Sequence, residues 1–144
     1  MNISIQKRTL YIFSLAGMGL VLLTHILRPN LLAPRAWVGI ILGVLPNFGA
    51  GLGLPGVLAM VINGVMKSQE FEISISRTII LATFISETGL FGWEFLQFFL
   101  WKHPIDLFDL AATIFGGAIA LGLGLWSGKA VTSNEEYERA KPKN

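Results

Sequence analysis

Apolar residues in this chain fall into long blocks separated by short polar punctuation. Leu10 to Leu27 carries no Asp, Glu, Lys or Arg, with Lys7-Arg8 before it and Arg28-Pro29-Asn30 after it. A helix crosses a hydrocarbon core of about 30 Å with about 20 such residues. The run exceeds the usual apolar core of a signal peptide, and no small-x-small cleavage site follows it. It is therefore expected to be a retained first span, over about 10–27.

Val38 to Met66 is also apolar but is interrupted by Pro46-Asn47 and by Gly51-Leu52-Gly53-Leu54-Pro55-Gly56. Proline and glycine runs punctuate regular structure. Two readings follow. In one, an interfacial or re-entrant segment over 38–45 precedes a second span over 48–66, with Asn47 as its cap. In the other, the region is one proline-kinked helix. Lys67 to Arg77 forms a polar connector. A third span is predicted over 78–101, and the loop Lys102-His103-Pro104 leads to a fourth over 107–126.

Composition agrees with this pattern. Of the 144 residues, 53% are hydrophobic and only 14% charged, against about 25% charged in soluble domains. A chain this short cannot bury several apolar helices in water, because small domains hide a smaller share of their surface. The fold class is all-α: a polytopic membrane helical bundle of about four transmembrane helices. One membrane domain is expected over 1–126 and a polar, partly disordered tail over 127–144. There is no cysteine, which excludes disulfides and thiol chemistry. The net charge of +2 is scattered, so no nucleic-acid partner is indicated.

Orientation follows the distribution of Lys and Arg. With the N-terminus in the cytoplasm, Lys7, Arg8, Lys67, Arg77, Lys129, Arg139, Lys141 and Lys143 lie inside, and Arg28, Arg35 and Lys102 outside. Both termini are therefore expected to be cytoplasmic.

The polar residues inside the spans are few and ordered. Thr83, Glu87, Glu94 and Gln97 fall on one stripe of the third span, at helical spacing. In the fourth, Asp106, Asp109, Thr113, Gly116, Ala120 and Gly124 form another face, acidic at its start and small below it. Small residues at this spacing let helices approach closely in lipid, which marks Gly116, Ala120 and Gly124 as packing positions. A carboxylate deep in a span costs about 2.5–3.5 kcal/mol, whereas each large aliphatic residue returns only about 0.3–0.6. Two glutamates therefore need protein or water around them, and the two polar stripes are expected to meet. Gln97, Lys102, His103, Asp106 and Asp109 join Glu94 at the outer level, with Glu87 beneath.

Trp93-Glu94-Phe95-Leu96-Gln97, Asp106-Leu107-Phe108-Asp109 and Gly116-Gly117 together resemble the VanZ-like membrane proteins. That family places Glu-x-x-Gln at the end of one span, then a short loop, Asp-x-x-Asp and a glycine. The likeness covers about residues 87–124. His103 stands where the family often has Arg, and Thr113 where it often has Asn. The founding member is associated with low-level glycopeptide tolerance. The resemblance thus implies a multi-pass protein of the bacterial inner membrane, acting in the cell envelope on a lipid or lipid-linked precursor.

Three functions stay open. The outer acidic cluster binds or moves a lipid headgroup, with Lys102 and His103 meeting phosphate. Alternatively, the seam is structural and the chain is an accessory subunit of a larger membrane complex. Thirdly, Glu94, Asp106 and Asp109 hold a divalent cation such as Mg²⁺, which polarises a phosphate ester. No other cofactor is indicated, and nucleophile-elbow, zinc-protease and P-loop motifs are absent. A four-span chain of this size suits a homodimer, although its glycine faces could all be used within one chain. His25 is expected as an interfacial histidine, the four tryptophans as boundary anchors, and Asn63, Gly17 and Gly19 at helix contacts.

Overall fold

The computed structural model describes the backbone of residues 3–31, 36–71 and 73–140, and the side chains of 8–28, 37–71 and 73–127. The basic residues Lys7, Arg35, Lys129, Arg139, Lys141 and Lys143, and the acidic run at 135–138, have side chains outside that set. Four helices make up the described chain: α1 (Ile3–Leu31), α2 (Ala36–Ser68), α3 (Ile75–Trp101) and α4 (Leu107–Ala140). Each contains a stretch long and apolar enough to cross a membrane: Arg8–Arg28, Trp37–Ser68, Ile75–Trp101 and Leu107–Ser127. The chain is a four-helix membrane bundle.

One choice between readings is decided, and one expectation needs correction. The second apolar region is one helix from Ala36 to Ser68, with Pro46 and Pro55 inside it. No separate re-entrant segment occupies 38–45. Proline removes one backbone donor and bends a helix, but neighbouring helices make that tolerable in a membrane. Likewise 127–140 is not a loose tail, because α4 continues to Ala140.

Neighbouring helices run antiparallel, as paired positions show. Gly17 of α1 meets Gly49 and Gly53 of α2, whereas the earlier Leu10 and Phe13 meet the later Gly56. Glu87 of α3 meets Gly117 of α4, and Ile79 meets Gly124. α2 and α4 consequently run parallel, and they form the central pair. α2 touches all three other helices, α4 also touches all three, and α1 and α3 share no contact among the described residues. In section the bundle is a rhombus with α1 and α3 at its far corners.

Glycine decides how close the central helices come. A Cβ on Gly17 would strike the backbone of Gly49 and Gly53, and one on Gly51 would strike the Thr113 carbonyl. One on Gly116 would strike the carbonyl of Phe48 and the amide of Leu52. The Gly51–Gly56 run is therefore a two-sided packing surface, on which backbones meet directly as small residues allow in lipid. Gly19 faces open space, so of the two α1 glycines only Gly17 marks a contact.

Polar side chains in the bundle are mostly satisfied within their own helices. Ser14, Thr24 and Thr83 donate to the carbonyls of Leu10, Leu20 and Ile79 at 2.6, 2.7 and 2.8 Å. Between helices, Thr78 Oγ1 donates to Asn63 Oδ1 at 3.3 Å, joining α3 to α2. Ser74 caps α3 by accepting from the Arg77 amide at 3.4 Å. These side chains stabilise local geometry and leave the apolar surface to lipid. α3 is the most peripheral helix, with only 22% of its spanning window buried.

Candidate functional site

At the end of the bundle where α1 and α3 stop and α2 and α4 begin, a cleft of about 850 Å³ opens. We call this the two-loop end, and the opposite end, with the α2–α3 connection, the one-loop end. Glu94, Gln97, His103, Asp106 and Asp109 all line the cleft. Two further polar walls come from elsewhere: Arg28 at the end of α1 and Asn47 on α2.

Local structure sets each acid in place. The Asp106 carboxylate accepts from the Phe108 amide at 2.8 Å, and its carbonyl accepts from the Leu110 amide at 3.1 Å. Asp106 is thus the N-cap of α4, satisfying an amide that a helix start leaves unpaired. Asp109 lies one turn further, half-buried, with the Asn47 side chain as its hydrogen-bond partner and the Arg28 guanidinium close enough to act on it electrostatically. Glu94 projects from α3 towards the same place, within electrostatic reach of both aspartates. Three carboxyls, two amides, one guanidinium and one imidazole therefore share a cleft bordered by Trp93, Phe108 and aliphatic α2 residues.

The remaining expected site residues lie elsewhere. Lys102 adopts the left-handed conformation (φ 56°) as the C-cap of α3, its amide donating to the Phe98 carbonyl at 3.1 Å. Its side chain is exposed and is not part of the cleft wall. Thr113 is buried, and its hydroxyl donates to the Asp109 carbonyl of its own helix at 2.9 Å. Glu87 sits beneath the cleft, about 10 Å along α3 from Glu94 at helical rise. Both its carboxyl oxygens are buried with no hydrogen-bond partner among the described residues, and the space they fill exists because position 117 is glycine.

The packing face of α4 is divided between two neighbours. Gly116 and the Thr113 backbone press on α2, Gly117 and Gly124 on α3, and Ala120 is fully buried in the core. The seam between α3 and α4 is thus only part of the arrangement, and α2 closes the cleft from the other side. Asn47 reads in the sequence as a helix cap but lies inside α2, and Arg28 reads only as a flanking charge. Neither lies on the α3 or α4 stripes, so no periodicity could have joined them to Glu94 and Asp109.

Among the described residues no group of three His, Asp or Glu side chains is placed to hold a metal ion. Glu94, Asp106 and Asp109 share a cleft without converging on one point. His25 is exposed on α1, away from the cleft lining. Trp37, Trp101 and Trp126 are exposed, and Trp93 meets Trp101 edge-on with ring centroids 5.8 Å apart. Comparison with family models, curated proteins and solved structures finds no match for the chain.

Proposed function

We propose that the two-loop-end cleft binds the headgroup of a bilayer lipid or lipid-linked envelope precursor, and that the protein holds or moves that molecule. The observation that carries this reading is the mixture of charges in one cleft at the edge of the spans. Glu94 and Asp109 suit an amine, Arg28 and His103 suit a phosphate, and Gln97 donates or accepts as needed. Arg28 offsets part of the acidic charge that would otherwise repel a phosphate. The resemblance to VanZ-like proteins supports the same envelope setting. With both termini cytoplasmic, the cleft opens on the outer face of a bacterial inner membrane.

Native mass spectrometry of the purified protein tests this directly. Wild type is expected to retain one lipid class. Glu94→Gln and Arg28→Gln, with helicity and monodispersity intact, are expected to retain at least about ten-fold less, as loss of a charge-assisted contact implies. Equal retention by folded variants and wild type would refute the reading.

One observation favours a structural role instead. Asp106 caps α4 and Asp109 is tied to Asn47 of α2, so two of the acids help fix helices. On that reading the chain is an accessory subunit, and Asp109→Asn lowers stability without changing lipid retention.

A further inference from the structure

The one-loop end holds a second cleft, of about 930 Å³, with a different chemistry. Its polar wall comprises Lys67 at the end of α2, Arg77 in the first turn of α3, and Asn63 and Ser74 between them. Among the described residues no carboxylate lines it. Its other wall is apolar, with Leu10 and Tyr11 of α1 facing Met60 and Phe71.

Three features of this place act together. Lys67 and Arg77 stand at the ends of spanning segments, where cations beside a span meet lipid headgroups. The cleft lies between α1 and α3, which share no contact among the described residues, so a gap separates the two helices. Asn63 accepts from Thr78 through its carbonyl oxygen, which leaves its amide hydrogens available as donors.

The geometry points to this cleft as a binding site for an anionic phospholipid, its phosphate held by Lys67 and Arg77 and its acyl chains passing between α1 and α3 along Tyr11 and Met60. Basic pockets between transmembrane helices bind anionic headgroups in this manner. The apolar wall matches the chains and has no use for a free anion. The site is separate from the acidic cleft and does not depend on what that cleft binds.

The test is lipid titration of the full-length protein in zwitterionic detergent, read by native mass spectrometry. The probes are a phosphatidylglycerol, a phosphatidylcholine with the same chains, and glycerol phosphate. Wild type is expected to prefer phosphatidylglycerol over phosphatidylcholine and to bind glycerol phosphate far more weakly. Lys67→Gln and Arg77→Gln are each expected to weaken phosphatidylglycerol by about five-fold, and the pair by about thirty-fold. Lys67→Arg keeps the charge and is expected to retain binding. Lys102→Gln, exposed and outside both clefts, is expected to leave this preference unchanged. Equal affinity of wild type for the two lipids overturns the proposal whether or not the variants fold. Undiminished phosphatidylglycerol binding by the double variant overturns it as well. Glycerol phosphate bound as tightly as the lipid identifies a site for a free anion instead.

Discussion

The α2 interfaces with α1 and α4 and the α3 interfaces with α2 and α4 are built on opposite plans. Around Gly17, Gly49, Gly51, Gly53 and Gly116, backbone touches backbone and there is no room for a methyl group. Along α3, contact is made through side chains: Glu87 against Gly117, Ile79 against Gly124, and Thr78 bonded to Asn63. Lipid supplies no hydrophobic driving force between helices, so the first plan gains from close dispersion contact, and the second adds the Thr78–Asn63 pair to side-chain packing. The lesson is that α2 with α1 and α4 forms the rigid frame, while α3 can carry a costly acid because its contacts are adjustable.

The sharpest way to break this comparison is to add one carbon to the frame. Gly116→Ala pushes a methyl group into the Phe48 carbonyl and Leu52 amide, and is expected to destabilise by about 3 kcal/mol, at the upper end for overpacking. Gly122→Ala on the same helix meets nothing within 4 Å, and is expected to be neutral or to stabilise by up to about 1 kcal/mol. Thermal unfolding in detergent compares the two. Similar midpoints for both variants would show that the frame yields.

A smaller effect, of opposite sign, is expected on α3. Glu87→Met removes two buried oxygens that have no partner and keeps a side chain of similar length. Stability is expected to rise by about 1–3 kcal/mol, the cost of an unsatisfied buried polar group, in chemical unfolding of the reconstituted protein. A loss of stability would reveal a partner for Glu87. The smallest change belongs to Thr78→Val, which deletes the interhelical bond to Asn63. About 0.6 kcal/mol is expected from such bonds in membranes, and a double-mutant cycle with Asn63→Ala measures it.

The blocks of apolar residues made the number and class of the helices legible, and the stripe from Glu87 to Gln97 located the acids. The Gly51–Gly56 run was open to misreading because glycine breaks helices in water yet packs them in lipid, and residue type is the same in both cases. Periodicity shows which residues share a face but not which helix the face meets. Thr113, Gly116 and Gly124 therefore read as one surface, although the first two press on α2 and the last on α3. Arg28 and Asn47 were hidden for the same reason. Their place beside Asp109 depends on how three helices are arranged, which no single segment encodes.

The two prolines of α2 have a mechanical consequence. Each deletes the hydrogen bond that would restrain the turn before it, so the helix is a rod with two notches. Pro55 is fully buried next to Gly56, where α2 packs against α1, and there the notch is enclosed. Pro46 lies in the wall of the acidic cleft, with open volume on one side. Bending stiffness along α2 is therefore lowest beside the cleft, and the first turns of α2 can flex there while the glycine frame below stays fixed.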